Sequence, residues 1–406
     1  MRAAVLCSVA AVALAYCVVL SAQGVSVVHR PPQAASASFQ ALSAKATAAQ
    51  NAGNLDQAVV LFRKALSLNP RWLEGWWSLA EIDYQADRYQ TAAGEYKKVA
   101  TLDPKYGTAR AMLGLSEFEL GRDKEALDDI EASKELGMEQ DPQLRQVVLY
   151  HEGILLQRSN RYEQAVKAFS SLCLSGVRSA DLAQVFGMTM LRMNSKAAPT
   201  AGSPESEVVQ HVGRGACLSA ANQYDQARHE YELVLQQAPH FPLVHFAYGR
   251  FLLEARDRPG AVEAFKQEIA EHPESVLARN EIAAAEYKAD SAAGIPYAQQ
   301  AVTLEPQSPL PHYLLGLLLL DTGESQAAIP HLELARKAFS SDARVYWSLG
   351  VAYARVGRSK DAADARATFA RLNQAKPEEQ TAVMGSTPDA APQTDESDKA
   401  WSAPKL

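Results

Sequence analysis

The sequence of 406 residues predicts an all-α solenoid of stacked helical hairpins, and three observations carry that prediction. Alanines recur at one place in successive segments: Ala58, Ala92 and Ala126 are 34 residues apart, as are Ala227 and Ala261, with Ala165 between them. Prolines keep the same step, Pro70 to Pro104 and Pro239 to Pro273, with Pro306 a further 33 residues on. Between these marks, apolar residues fall at i, i+4, i+7 and i+8, as in Ala58, Phe62, Ala65 and Leu66, which is one stripe of a helix. Each element has a physical reason for its place. Small residues let two helices approach closely, bulky ones fill the gap to the next hairpin, and proline after the second helix stops it and re-aims the chain. Gly53, Gly121, Gly323 and Gly357 stand at the tight turns between the paired helices. Hairpins this short cannot bury their own apolar faces and must stack on copies of themselves.

Composition narrows the function. Hydrophobic residues make up 47% of the chain, so it is neither disordered throughout nor a multi-span membrane protein. The net charge of −7 comes without a cluster of Lys and Arg, which argues against a nucleic-acid partner.

In chain order, residues 1–22 read as a secretory signal peptide: Arg2, an apolar stretch from Ala3 to Leu20, and the small-residue step Leu20-Ser21-Ala22. An uncleaved anchor is the alternative, because no charge occurs from Ala3 to Val28 and about 20 apolar residues span a bilayer core. Tyr16, where a lipoprotein box needs a small residue before Cys17, argues against lipidation. Both readings export the rest of the chain. Residues 23–38 form a linker. An N-terminal array follows over 39–177, in units 39–72, 73–106, 107–140 and 146–177. Residues 178–207 hold a degenerate half-unit, the stripe Leu182, Val185, Phe186, Met190 and Met193, and then a loop rich in Ala, Gly, Ser and Pro. That stretch is either a simple insertion or a hinge. The C-terminal array runs over 208–372, in units 208–241, 242–275, 276–308, 309–342 and 343–372. From Asn373 to Leu406 the composition turns polar and acidic, as expected of a disordered tail. Cys173 and Cys217, 44 residues apart, read as small packing residues rather than as a pair.

The first helices carry a large residue followed by Leu or Tyr and then Gly or Ala: Trp76…Leu79-Ala80, Leu113-Gly114, Tyr248-Gly249, Leu315-Gly316 and Tyr346…Leu349-Gly350. With the second-helix alanines and closing prolines, this resembles the tetratricopeptide repeat over roughly residues 39–372. The resemblance implies a superhelical solenoid of about nine helix-turn-helix units plus the degenerate half-unit. It also implies a non-catalytic scaffold or adaptor that binds an extended peptide or a partner protein in a groove lined by first helices. With the leader, it points to an exported bacterial type, periplasmic or secreted, or membrane-anchored and facing outside the cytoplasm. Two further readings are a membrane-tethered envelope assembly factor, held through residues 3–28, and an accessory subunit of a secretion or polysaccharide-synthesis complex.

The groove-facing slot of the resemblance holds Ser43, Trp77, Ala111, Tyr150, Val212, Phe246, Asn280, Tyr313 and Trp347. Five of the nine are aromatic against 8% over the chain. Tyr84, Phe118 and Tyr287 lie further along the same face, and Arg250 and Arg355 lie there as possible partners for carboxylates. These residues are either a contact stripe for a partner or packing between neighbouring first helices. Ser43, Thr47, Trp77 and Glu81 do not supply the Lys and Asn with which some relatives clamp carboxylate tails.

No enzyme signature appears: there is no Cys-x-x-Cys, His-Glu-x-x-His, Gly-x-Ser-x-Gly or phosphate-binding glycine loop. The array leaves no room for a catalytic domain, and no cofactor or metal is expected. His211, His245 and His312 share one first-helix slot and read as fillers of a bulky position rather than metal ligands. Asp128, Asp129 and Glu131 read as a solvated face.

Overall fold

The computed structural model describes residues 37–138, 141–194 and 197–374. The leader or anchor, nearly all of the linker, and the tail from residue 375 lie outside the described residues.

Among the described residues there are nineteen α-helices and no strand. In chain order they are α1 Ala37–Asn51, α2 Leu55–Leu68, α3 Leu73–Gln85, α4 Tyr89–Leu102, α5 Gly107–Glu119, α6 Asp123–Leu136, α7 Pro142–Arg158, α8 Tyr162–Leu174 and α9 Ala180–Met190. They continue as α10 Pro204–Ala220, α11 Tyr224–Gln237, α12 Val244–Glu254, α13 Arg258–Glu271, α14 Val276–Glu286, α15 Ser291–Leu304, α16 Pro309–Asp321, α17 Ser325–Ala338, α18 Ala343–Arg355 and α19 Ser359–Gln374. Nine hairpins and the single helix α9 therefore stand where the period places nine units and a half-unit. Helix α19 extends two residues past the expected end of the array.

The chain forms two compact units. The first comprises residues up to Arg161 with Lys167–Leu182, and the second Tyr162–Val166 with residues from Ala183 onward.

The periodic residues do what their chemistry requires. Ala58, Ala92, Ala126, Ala165, Ala227 and Ala261 are all fully buried between paired helices. The turns demand a left-handed residue: Gly121 supplies it at φ 71° and Asp87 takes the same role at φ 56°. In both turns the next amide reaches back five residues, Arg122 N–H to the Glu117 carbonyl and Arg88 N–H to the Asp83 carbonyl, and satisfies a carbonyl that the helix end leaves open. Proline is the first residue of α7, α10 and α16 and the second of α13, where a missing amide costs nothing.

Within the first unit Phe62, Leu66, Leu79 and Ile82 form a core between the first two hairpins. Each such buried side chain contributes about 1.5–3 kcal/mol. The second unit has a larger core around α16, from Tyr313 to Leu320, joined by Leu332, Val345 and Leu349. First helices also touch the next first helix, α5 on α7, α10 on α12, α14 on α16 and α16 on α18. Helix α9, expected as a degenerate half-unit, packs closely on α10. A Cβ on Gly187 or Gly213 would lie 1.8 Å from the carbonyl oxygen of Val209 or Ala183, so glycine is required at this crossing.

The acidic run of α6 is not simply a solvated face. Asp128 is exposed beside Lys124, but Asp129 accepts from Arg110 of α5 at 2.5 Å and Glu131 pairs with Arg161 at 2.8 Å. Cys173 and Cys217 are both disulfide-bonded, which corrects their reading as mere packing residues.

Candidate functional site

The aromatic slot divides by burial. Ala111, Val212, Phe246, Asn280 and Tyr313 are buried, whereas Ser43, Trp77, Tyr150 and Trp347 keep part of their surface.

In the first unit, Trp77 and Tyr84 lie seven residues apart on α3 and share one face. Trp77 meets Tyr96 of α4 edge-on at 5.4 Å and lies 5.3 Å from Tyr106. Tyr84 meets Tyr89 edge-on at 5.3 Å and Tyr96 at 6.5 Å. Between them Glu81 accepts the Trp77 indole N–H; burial nonetheless pushes its carboxyl up to about 7. Burial, with Glu119 and Asp87 nearby, pushes the Tyr84 phenol well above its ordinary range. The Tyr96 hydroxyl is fully buried and has no hydrogen-bond partner among the described residues. These groups form a half-buried patch of aromatics and carboxyls on α3 and α4.

Phe118 and Tyr150 belong to a second cluster around His151 of α7. Phe118 meets the imidazole edge-on at 4.5 Å, and the Arg158 guanidinium lies 4.9 Å from the Phe118 ring centre. Tyr150 touches His151 at 5.6 Å and Phe169 at 6.4 Å. Burial, with Asp181 nearby, pushes its phenol up to about 12. Burial also lowers His151 to about 4, against a hydrogen bond to the Val147 carbonyl that favours the cation and with help from Arg158.

In the second unit the candidate residues are mostly structural. Phe246 is 1% exposed against Phe265, and Tyr313 is 0% exposed against Phe339. Both belong to the core and offer a partner no surface. Arg250 is buried and donates to Glu163 at 2.6 Å, and Arg192 donates to the same carboxylate. Burial alone would raise Glu163, but the guanidiniums of Arg250 and Arg192 hold it down at about 2. Tyr287 packs partly buried on the α16 core. Trp347 is half-buried, with Phe369 at 5.4 Å. Arg355 is exposed and donates to the Leu320 carbonyl at 2.5 Å.

The expected stripe is therefore not one continuous surface. Tyr89, Tyr96 and Tyr106 were missed because they come from second helices and turns. Glu163 was missed because it lies 87 residues from Arg250, outside any local pattern.

The three histidines of the shared slot do not gather a metal set. His211 bonds Glu230 at 2.7 Å, and His312 stacks on His331 with their Nδ1 atoms 2.8 Å apart. Among the described residues no group of three or more His, Cys, Asp and Glu is placed to hold a metal ion. Among the described residues, too, no helix is long and apolar enough to cross a membrane.

No curated protein matches the chain. Among solved structures it is similar to MamA, at 23% identity over 40% of this chain and 96% of that one, with a TM-score of 0.38. It is also similar to MamA 41-end from Desulfovibrio magneticus RS-1, at 17% identity over 42% and 97%, with a TM-score of 0.39. The APC/C hetero-tetramer Cut9–Hcn1 matches more of its length, at 13% identity over 85% and 89%, with a TM-score of 0.35. The tetratricopeptide-repeat family model matches residues 43–107, 79–143, 218–276 and 313–379, more than half of the sequence. Matched by that model and built from nine hairpins of the same period, the chain belongs to the tetratricopeptide-repeat family.

Proposed function

We propose that this chain is a non-catalytic scaffold that holds a partner protein or an extended peptide on the first-helix face of its first unit. Tetratricopeptide-repeat proteins generally act as protein-interaction scaffolds. The observation that carries the present reading is the patch on α3 and α4: Trp77 and Tyr84 remain partly exposed, flank a carboxyl raised by burial, and sit above a buried hydroxyl that lacks a partner. Large, rigid aromatic groups of this kind contribute most to binding at protein interfaces. Phe118 and Tyr150 extend the same reading to α5 and α7.

A photo-crosslinking side chain placed at Tyr84 tests it, with one at the exposed second-helix position Val60 as control. A partner crosslinked from position 84 and not from position 60 supports the first-helix face. The reverse pattern moves the interface to the second helices.

The chain acts, on this reading, outside the cytoplasm. Residues 1–22 have the composition of a secretory leader, and the disulfide-bonded state of Cys173 and Cys217 suits an oxidising compartment. Determining the N-terminal residue of the mature protein separates cleavage after Ala22 from an anchor retained over residues 3–28.

A further inference from the structure

The two arginines singled out for carboxylates have opposite fates. Arg250 is neutralised internally by Glu163. Arg355, the last residue of α18, bonds among the described residues the Leu320 carbonyl alone, which holds its guanidinium over the turn between α16 and α17. There it borders a shallow depression of about 460 Å³ lined by Gly323, Glu324, Ser325, Gln326, Ala327 and Val356.

Helix α17 begins in this depression. Its N-cap, Glu324, makes no side-chain cap. The amides of Ser325 and Ala328 bond the carbonyls of Gly323 and Glu324, while no acceptor among the described residues faces the amides of Gln326 and Ala327. Ser325 is only 5% exposed, and its Oγ has no hydrogen-bond partner among the described residues.

Two corresponding places in the array are satisfied from within. Ser291, the first residue of α15, donates its Oγ–H to Asp321 Oδ2 at 2.6 Å, 30 residues further on. In the first unit Asp123, the first residue of α6, accepts from Arg158 Nη1 at 2.9 Å. In each case the first residue of a second helix meets the last turn of the next first helix as donor to acceptor. Ser325 opens α17 as Ser291 opens α15, and 30 residues beyond it stands Arg355 in place of an aspartate. Arginine offers no acceptor to the Ser325 hydroxyl proton, and no hydrogen bond joins the two side chains.

We propose that this depression is an anion site that takes a carboxylate of the bound partner, with Ser325 Oγ, the Gln326 and Ala327 amides and the Arg355 guanidinium as its donors. A helix N-terminus and a guanidinium together suit an oxyanion. The charge balance favours a carboxylate over a dianionic phosphate. One full positive charge and about half a charge from the helix end face the Glu324 carboxylate at the rim and Asp321 one turn away, the latter engaged by Ser291. That a protein partner carries the carboxylate rests on the scaffold reading; the anion site itself does not.

The test follows the backbone amide shifts of Gln326 and Ala327 in the full chain titrated with acetate, with phosphate, and with chloride at equal ionic strength. Acetate should give saturable shifts and chloride none. Arg355→Gln should weaken acetate binding about tenfold or more, Ser325→Ala should weaken it severalfold, and Glu324→Gln, an exposed change, should tighten it. Absence of saturation, or equal binding in wild type and Arg355→Gln, overturns the site. Phosphate binding tighter than acetate overturns the assignment to a carboxylate. Far-UV circular dichroism checks that each variant is folded, and the opposite sign expected of Glu324→Gln decides the matter if Ser325→Ala is unstable. Acetyl tetrapeptides with a free or an amidated C-terminus then distinguish an α-carboxylate from a side-chain carboxylate. If Arg355→Gln abolishes acetate binding while partner capture persists undiminished, the partner is not the carrier, and the reading of the first unit is untouched.

Discussion

Trp76, His245, His312 and Tyr346 occupy one position of the first helix, and in each the polar ring atom reaches a carbonyl six residues back. Trp76 Nε1–H donates to Pro70 at 2.9 Å, His312 Nε2–H to Pro306 at 3.1 Å, Tyr346 Oη–H to Ser340 at 3.1 Å, and His245 to Pro239. Those carbonyls follow the end of the preceding hairpin, where no helix partner remains. The slot therefore calls for a bulky ring with a donor at its edge, which is why histidine serves there in place of tryptophan. Because the Pro306 carbonyl can only accept, His312 gives it Nε2–H, which leaves Nδ1 to face His331 Nδ1 at 2.8 Å. Tyr346→Phe keeps the ring and loses the donor; urea unfolding should show it less stable by about 1 kcal/mol. His151 bears on pH. It is held near 4 in the folded chain against an ordinary 6.5, so the unfolded chain binds more protons between those values, and stability is lost as pH falls from 6.5 towards 4. His151→Gln should be less stable at neutral pH through lost packing. It should also lose less stability than wild type across that window, by up to about 3 kcal/mol, in unfolding curves recorded from pH 7 to pH 4.

At the scale of the helix, packing within the hairpin decides which aromatics are surface. Phe246 is buried against Phe265 of α13 and Tyr313 against Phe339 just beyond α17, whereas Trp77 and Tyr84 keep part of their surface. Phe246→Ala or Tyr313→Ala should therefore lower unfolding free energy by about 3–5 kcal/mol. Trp77→Ala should cost roughly half as much, because the indole is only partly buried. Calorimetry on the three variants ranks them directly. The helices themselves were legible in the sequence, since alanine, proline and turn glycines repeat with the hairpin. The pairing of α9 with α10 was not: Gly187 and Gly213 lie in helices where a glycine has no periodic meaning, and only the crossing shows why they are needed. The burial of the aromatic slot was likewise beyond reach, because one helical stripe serves equally for a groove and for a contact between helices.

Across the whole chain, what the period encodes is local and what it omits is long-range. Nine hairpins follow from contacts within about one repeat. The Glu163–Arg250 pair spans 87 residues, and two cysteines 44 residues apart gave no sign of being oxidised. In the mature chain, denatured without reductant, Cys173 and Cys217 should yield no titratable thiol, and two after reduction; two thiols beforehand would contradict the oxidised state and weaken the proposal of an exported protein. The candidate surface was legible in part: Trp77 and Tyr84 came from the slot and its extension, but their neighbours Tyr89, Tyr96 and Tyr106 come from other elements. The most direct measurement of the scaffold reading is partner capture by in-cell crosslinking, comparing wild type with a Trp77→Ala/Tyr84→Ala double variant whose helicity and melting are recorded in parallel. The reading predicts one set of partners captured by wild type and lost, by tenfold or more, from a variant that still folds. Equal capture by that folded variant would contradict it.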